Sequence, residues 1–168
     1  MDWYINNSNA NVKIKIFGEF NASLKNQEPP QLEYIQDTTH YSLACTATRK
    51  DSAGITIFNI LGANSTNSKS LNLMLKGTDI STSAYRCIDL GSDDYKKAIY
   101  KINTGLTTTT YNCDGNNFTD GYISISSITT DSIAGEFELL LQNTQNSSLN
   151  TLTISSGTFK SKITVINK

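Results

Sequence analysis

Alternation with a period of two runs through nearly the whole chain, and it limits the fold more than any other feature. "LNLMLK" sets Leu71, Leu73 and Leu75 on one side and Asn72 and Met74 on the other. "VKIKIF" does the same with Val12, Ile14 and Ile16 against Lys13 and Lys15. Side chains of an extended strand point to opposite faces in turn, so each such run reads as a strand with one buried face. "EYIQ", "HYSLACTA", "ITIFNIL", "AIYKI", "TTTTYNC", "YISISSI", "IAGEFELLL", "LTIS" and "FKSKITVI" continue the series. "DTT", "KDSAG", "GANSTNSKS", "NTGL", "TTDS", "NTQNSSLN" and "SG" divide them, and "NQEPPQ" is a loop because neither proline can donate to a ladder.

Turn residues about every ten positions predict an all-β antiparallel sandwich of roughly ten to twelve short strands with little or no helix. The one helical signal is "GSDDYKKAIY", where Ser92 or an aspartate could cap a short turn ahead of Tyr95 and Ile99. A length of 168 residues suits one core rather than two. Residues 1–10 read as a flexible N-terminal segment and 11–168 as a single β-sandwich domain.

Composition excludes several functions. Fourteen Lys and Arg against fifteen Asp and Glu leave a net charge of -1, so no global field draws nucleic acid or anionic lipid. No apolar run approaches the ~18 residues of a membrane-spanning helix. "MDWYINNSNANVK" lacks the basic start and apolar stretch of an export signal, which fits a cytosolic protein or a mature chain whose signal has been removed. Cys45, Cys87 and Cys113 are too few and scattered for a disulfide framework or zinc site. They read as buried apolar side chains, with one disulfide open if two face each other across a sheet.

Catalysis finds little purchase. His40 is the single histidine, and Cys45 lies five residues further along the same strand, on the opposite face. Asp89, Asp93 and Asp94 are the one tight carboxylate cluster, and such spacing caps turns. The expectation is a protein that is not an enzyme. In "DGNNFTDG", Asp114, Asn116 and Asp120 could offer oxygen ligands to a structural calcium ion. Phe118 breaks the EF-hand pattern and no terminal glutamate follows, so the loop reads as a turn between "TTTTYNC" and "YISISSI", with no metal or cofactor assigned.

Five Asn-x-Ser/Thr sequons, at Asn6, Asn21, Asn64, Asn117 and Asn146, are what so Asn-, Ser- and Thr-rich a chain generates by chance. Tyr85, Tyr95, Tyr100 and Tyr111 in the middle third, with Trp3 and Tyr4 at the start, are candidates for stacking on sugar rings. The competing reading makes most of them partly buried core or rim residues.

The C-terminal third carries a resemblance. "DGYISISSITTDSIAGEFELLLQN" followed by "LNTLTISSGTFKSKI" resembles the signature of small Bacteroidota lipoproteins grouped as a domain of unknown function. Gly121, Ile123, Ile125, Ile133, Gly135, Phe137, Ile154, Gly157 and Phe159 occupy the matching positions. "GEFNASLKN" loosely resembles the family's opening strand and "LNLMLKG" its middle one. The resemblance implies an exported all-β domain of the cell envelope or surface, at the outer membrane, lipid-anchored, with anchor and signal removed. From that lineage comes an expectation of glycan or envelope-protein binding, or of a structural or adhesive role through sheet edges. From the residues alone, Gly135 shares a face with Phe137, Leu139 and Leu141 and marks a bulge or close backbone approach, and Gly157 reads as a turn or bulge before the last strand.

Overall fold

In "LNLMLKG" the leucines are fully buried while Asn72 and Met74 remain half-exposed, so the alternation becomes an inside and an outside. The structure, a computed structural model, describes residues 30–36, 38–116, 119–145 and 151–166. The expected segment 1–10, the "VKIKIF" strand, Trp3, Tyr4 and sequons Asn6, Asn21, Asn117 and Asn146 lie outside them. The described residues form eleven strands and no helix, an all-β fold as expected. These are β1 (Gln31–Gln36), β2 (Thr39–Ser52), β3 (Ile55–Ala63), β4 (Lys69–Gly77), β5 (Ala84–Arg86) and β6 (Ile88–Asp89). Then follow β7 (Tyr95–Asn103), β8 (Thr108–Cys113), β9 (Asp120–Ile128), β10 (Ser132–Asn143) and β11 (Thr151–Val165).

Antiparallel neighbours run β2–β3–β4–β7–β8, and β10 follows β8 through Asn112 and Tyr111. β10 pairs β11, which returns to β2 directly in parallel at Ile163–Val165 and through the inserted β1 elsewhere. On the second flank β9 pairs β10 and β5, while β6 pairs β7. The ladder therefore closes on itself as a sandwich-like, mixed sheet, with one short parallel contact where antiparallel pairing was expected. Its interior holds Leu32, Tyr34, Phe58, Ile60, Leu73, Ile123, Phe137 and Ile154, each fully buried.

Three local expectations change. "GSDDYKKAIY" is not helical: Tyr95 to Asn103 is strand β7, paired on β4 with Tyr95 opposite Lys76 and Ile102 opposite Lys69. "LTIS" and "FKSKITVI" are one strand, because Ser156 (φ 52°) makes a bulge that absorbs the register shift between Phe137 and Leu139 and lets pairing resume. Gly157 accordingly lies inside β11 rather than in a turn. The loop after β8 leads into β9 as expected, and in the sheet β10 lies between the two strands.

Antiparallel pairing of β10 and β11 sets Gly135 opposite Phe159 and Phe137 opposite Gly157. Two G-x-F triplets in opposed strands give reciprocal glycine–phenylalanine pairs, each ring covering the opposite glycine. The rings stack with centroids 6.4 Å apart. This gives a physical reason for the spacing "I-x-G-x-F … G-x-F": each glycine vacates the volume that a facing ring fills.

Candidate functional site

The four candidate tyrosines do not make one surface. Tyr100 and Tyr111 belong to the core, 0% and 8% exposed, with ring centroids 6.3 Å apart. Lys101 explains the direction: the outward face of β7 carries the lysine, so Tyr100 turns inward with Ala98. A stacking role for these two is corrected by their burial, which leaves no ring face for a ligand. Tyr85 is half-buried, and its hydroxyl accepts from the Ser81 N–H at 2.7 Å and bonds the Ser81 carbonyl at 3.0 Å, tying down the loop before β5. Tyr95 is also half-buried and lies beneath Lys97 Nζ, 4.4 Å from the ring centroid.

The carboxylate clusters are likewise spoken for. Asp89 meets Lys97 at 3.3 Å, Asp93 meets Lys76 at 3.3 Å, and Asp94 meets Lys96. His40 Nε2 stands 3.8 Å from Glu33, each side chain about 40% exposed. In the loop after β8, the Asp114 carboxylate accepts from the Asn116 N–H at 3.3 Å and the Thr119 hydroxyl at 3.4 Å. Asp120 instead accepts from Gly121 N–H at 2.8 Å and Arg86 Nε at 3.1 Å. The two carboxylates thus serve separate partners instead of converging on one point.

Asp51, Asp89 and Asp120 are each held below the usual carboxylate range, chiefly by the Thr56 hydroxyl, the Gly91 N–H and the Gly121 N–H respectively. Carboxyls depressed by folding stabilise the folded state above their unfolded value and lose that contribution as pH falls through the folded one. Melting followed by circular dichroism is expected to stay level from about pH 7 to 5 and to drop below about pH 4. All three side chains are exposed, so the drop is shallow and added salt reduces it. A melting temperature that rises on acidification contradicts the assignment.

Sequence reasoning passed over Tyr122. It sits on β9 with the opposite parity to the buried Ile123 and Ile125, which puts its ring on the outer face, 36% exposed. Register builds a patch around it: Arg86 and Glu138 are its two cross-strand neighbours, and Leu140 lies between Asp120 and Thr153. Leu140 is also 36% exposed. Together with Ser155 these residues line a shallow groove of about 510 Å³ across β9, β10 and β11. Partial burial, then the Glu138 and Glu136 carboxylates, push the Tyr122 hydroxyl up, so it stays a neutral donor at physiological pH. The parity of "YISIS" was the available signal.

A family model described as a domain of unknown function, DUF6252, matches residues 34–162, more than half of the chain. No curated protein and no solved structure matches the chain significantly.

Proposed function

The chain belongs to the DUF6252 family, and from that premise we propose a non-catalytic, exported binding module that takes glycans on the outer face around Tyr122. One observation carries the reading: an exposed aromatic ring and an exposed leucine lie diagonally across neighbouring strands on one face of the sheet, rimmed by Arg86, Asp120, Glu138 and Thr153. A sugar ring presents an apolar C–H face to such a surface and hydroxyls to its rim. The groove is open and shallow, which suits a chain segment lying across the sheet more than a small molecule enclosed by it. The exported, lipid-anchored setting rests on the resemblance of Gly121 to Phe159 to envelope lipoproteins. A non-catalytic role is supported by His40 at the rim facing Glu33, and by the lysine partners of Asp89, Asp93 and Asp94.

Titration with a panel of polysaccharides, read by calorimetry, tests the reading. At least one glycan is expected to bind, and Tyr122→Ala to weaken it roughly tenfold, the loss of one stacked ring. Absence of heat across the panel, or an unchanged affinity in the variant, overturns it. Assembly through sheet edges is the second reading, and it would have to use the short strands β5 and β6, of three and two residues, each paired along one side.

A further inference from the structure

Two buried cysteines are brought to one junction in the wall of the closed sheet. β6 and β8 use the same edge of β7: Ile88 stands opposite Lys96, and Cys113 opposite Ala98. The residue entering β6, Cys87, therefore arrives where β8 ends. Both cysteines are buried, at 2% and 0% exposure. Adjacent carbonyls hold them there, since Cys87 N–H donates to the Gly121 carbonyl at 2.8 Å and the Cys113 thiol donates to that of Asp120 at 3.2 Å. The backbones are equally close: a Cβ on Gly115, two residues after Cys113, would stand 3.1 Å from the carbonyl carbon of Cys87.

We propose that Cys87 and Cys113 are a disulfide site, closed when the chain folds in an oxidising compartment, which staples the β5–β6 segment to the end of β8. Cys45 lies on β2 and stays a free, buried thiol, which accounts for the odd cysteine. Closure proceeds by exchange with a small-molecule or protein disulfide. One cysteine, as thiolate, attacks that disulfide, forms a mixed disulfide and expels a first thiolate. The second cysteine then attacks the mixed disulfide, forms the Cys87–Cys113 bond and expels the other thiolate. The two cysteine protons end on the released thiols, the cysteines lose two electrons and the external disulfide gains them. In the folded chain the Cys87 thiol and burial push the Cys113 thiol far up, so little thiolate forms there and exchange belongs to the folding phase.

The test refolds the full chain with reduced and oxidised glutathione, blocks remaining thiols in denaturant, and maps the digest by mass spectrometry. A peptide joining Cys87 to Cys113, with Cys45 alkylated, is expected. Three alkylated cysteines in a folded, β-rich product overturn the proposal, and so does any link that includes Cys45. Cys45→Ser leaves the pair untouched and is expected to give the same cross-linked peptide; failure to close in that variant counts against the proposal equally.

Discussion

Replacing Gly135 with alanine is expected to destabilise the domain by about 3 kcal/mol or more, enough to lower its melting temperature by roughly 10 °C. A Cβ at this position would stand 2.5 Å from the Phe159 ring and closer still to the Ser124 carbonyl oxygen. The ring could tilt; the carbonyl belongs to the β9 backbone at the register shift between Ala134 and Gly135 and cannot move without breaking pairing. Gly157 differs in kind. A Cβ there would meet three ring carbons of Phe137 at 2.5 Å or less, and those are its nearest neighbours. The two glycines therefore make opposite predictions in a second background. Gly157→Ala should be partly relieved by Phe137→Leu, whereas Phe159→Leu should not rescue Gly135→Ala, because the carbonyl remains. Denaturant titration of the single and double variants measures the coupling. Equal rescue at both sites, or a Gly135→Ala variant as stable as the parent, would remove the reciprocal-pair account of the G-x-F spacing.

Legibility in the sequence followed distance along the chain. Face assignments in "LNLMLK" and "IAGEFELLL" need only neighbouring residues, and Leu71, Leu73, Leu75, Phe137, Leu139 and Leu141 are buried as their parity implies. Hairpins at "DTT" and "NTGL" need one turn, and Gln36 pairs Thr39 and Asn103 pairs Thr108. Closure was not visible, because the β11–β2 contact joins Ile163 to Ala47 and no local pattern encodes it. The single strand β11 was hidden by "SSG", which has turn composition; the facing β10 carries the pairing across the bulge. Tyrosine roles failed where apolar residues fall on both parities. In "AIYKI", Ala98, Ile99 and Tyr100 are consecutive, and only Lys101 marks the outside. The groove at Tyr122 escaped for another reason: its rim comes from β5, β9, β10 and β11, which only the fold brings together.

Tyr100→Phe is expected to cost about 2 kcal/mol although it removes a single oxygen, and Tyr34→Phe about half as much. The Tyr100 hydroxyl is the centre of a buried relay: it accepts from the Tyr34 hydroxyl at 3.1 Å and donates to Gln36 Oε1 at 3.0 Å. Without it, the Tyr34 hydroxyl loses its acceptor in a place water does not reach, since Tyr34 is 0% exposed. Without the Tyr34 hydroxyl, Tyr100 still donates to Gln36, so fewer groups are orphaned. The surrounding packing, with Tyr34 stacked on Tyr41 at 5.2 Å and edge-on to Tyr100 at 5.9 Å, is retained in both variants. Burial also pushes the Tyr34 hydroxyl far above its ordinary value, and raises Tyr100 as well. A group whose folded pKa is raised contributes fully below its unfolded value and loses that contribution as pH rises above it. Unfolding is therefore expected to become easier above about pH 10, where the unfolded chain ionises tyrosines that the folded chain keeps neutral. The alkaline loss should be shallower in Tyr34→Phe, which has one buried phenol fewer. Parallel pH–stability curves for parent and variant above that point would show that the buried relay does not govern the alkaline limb.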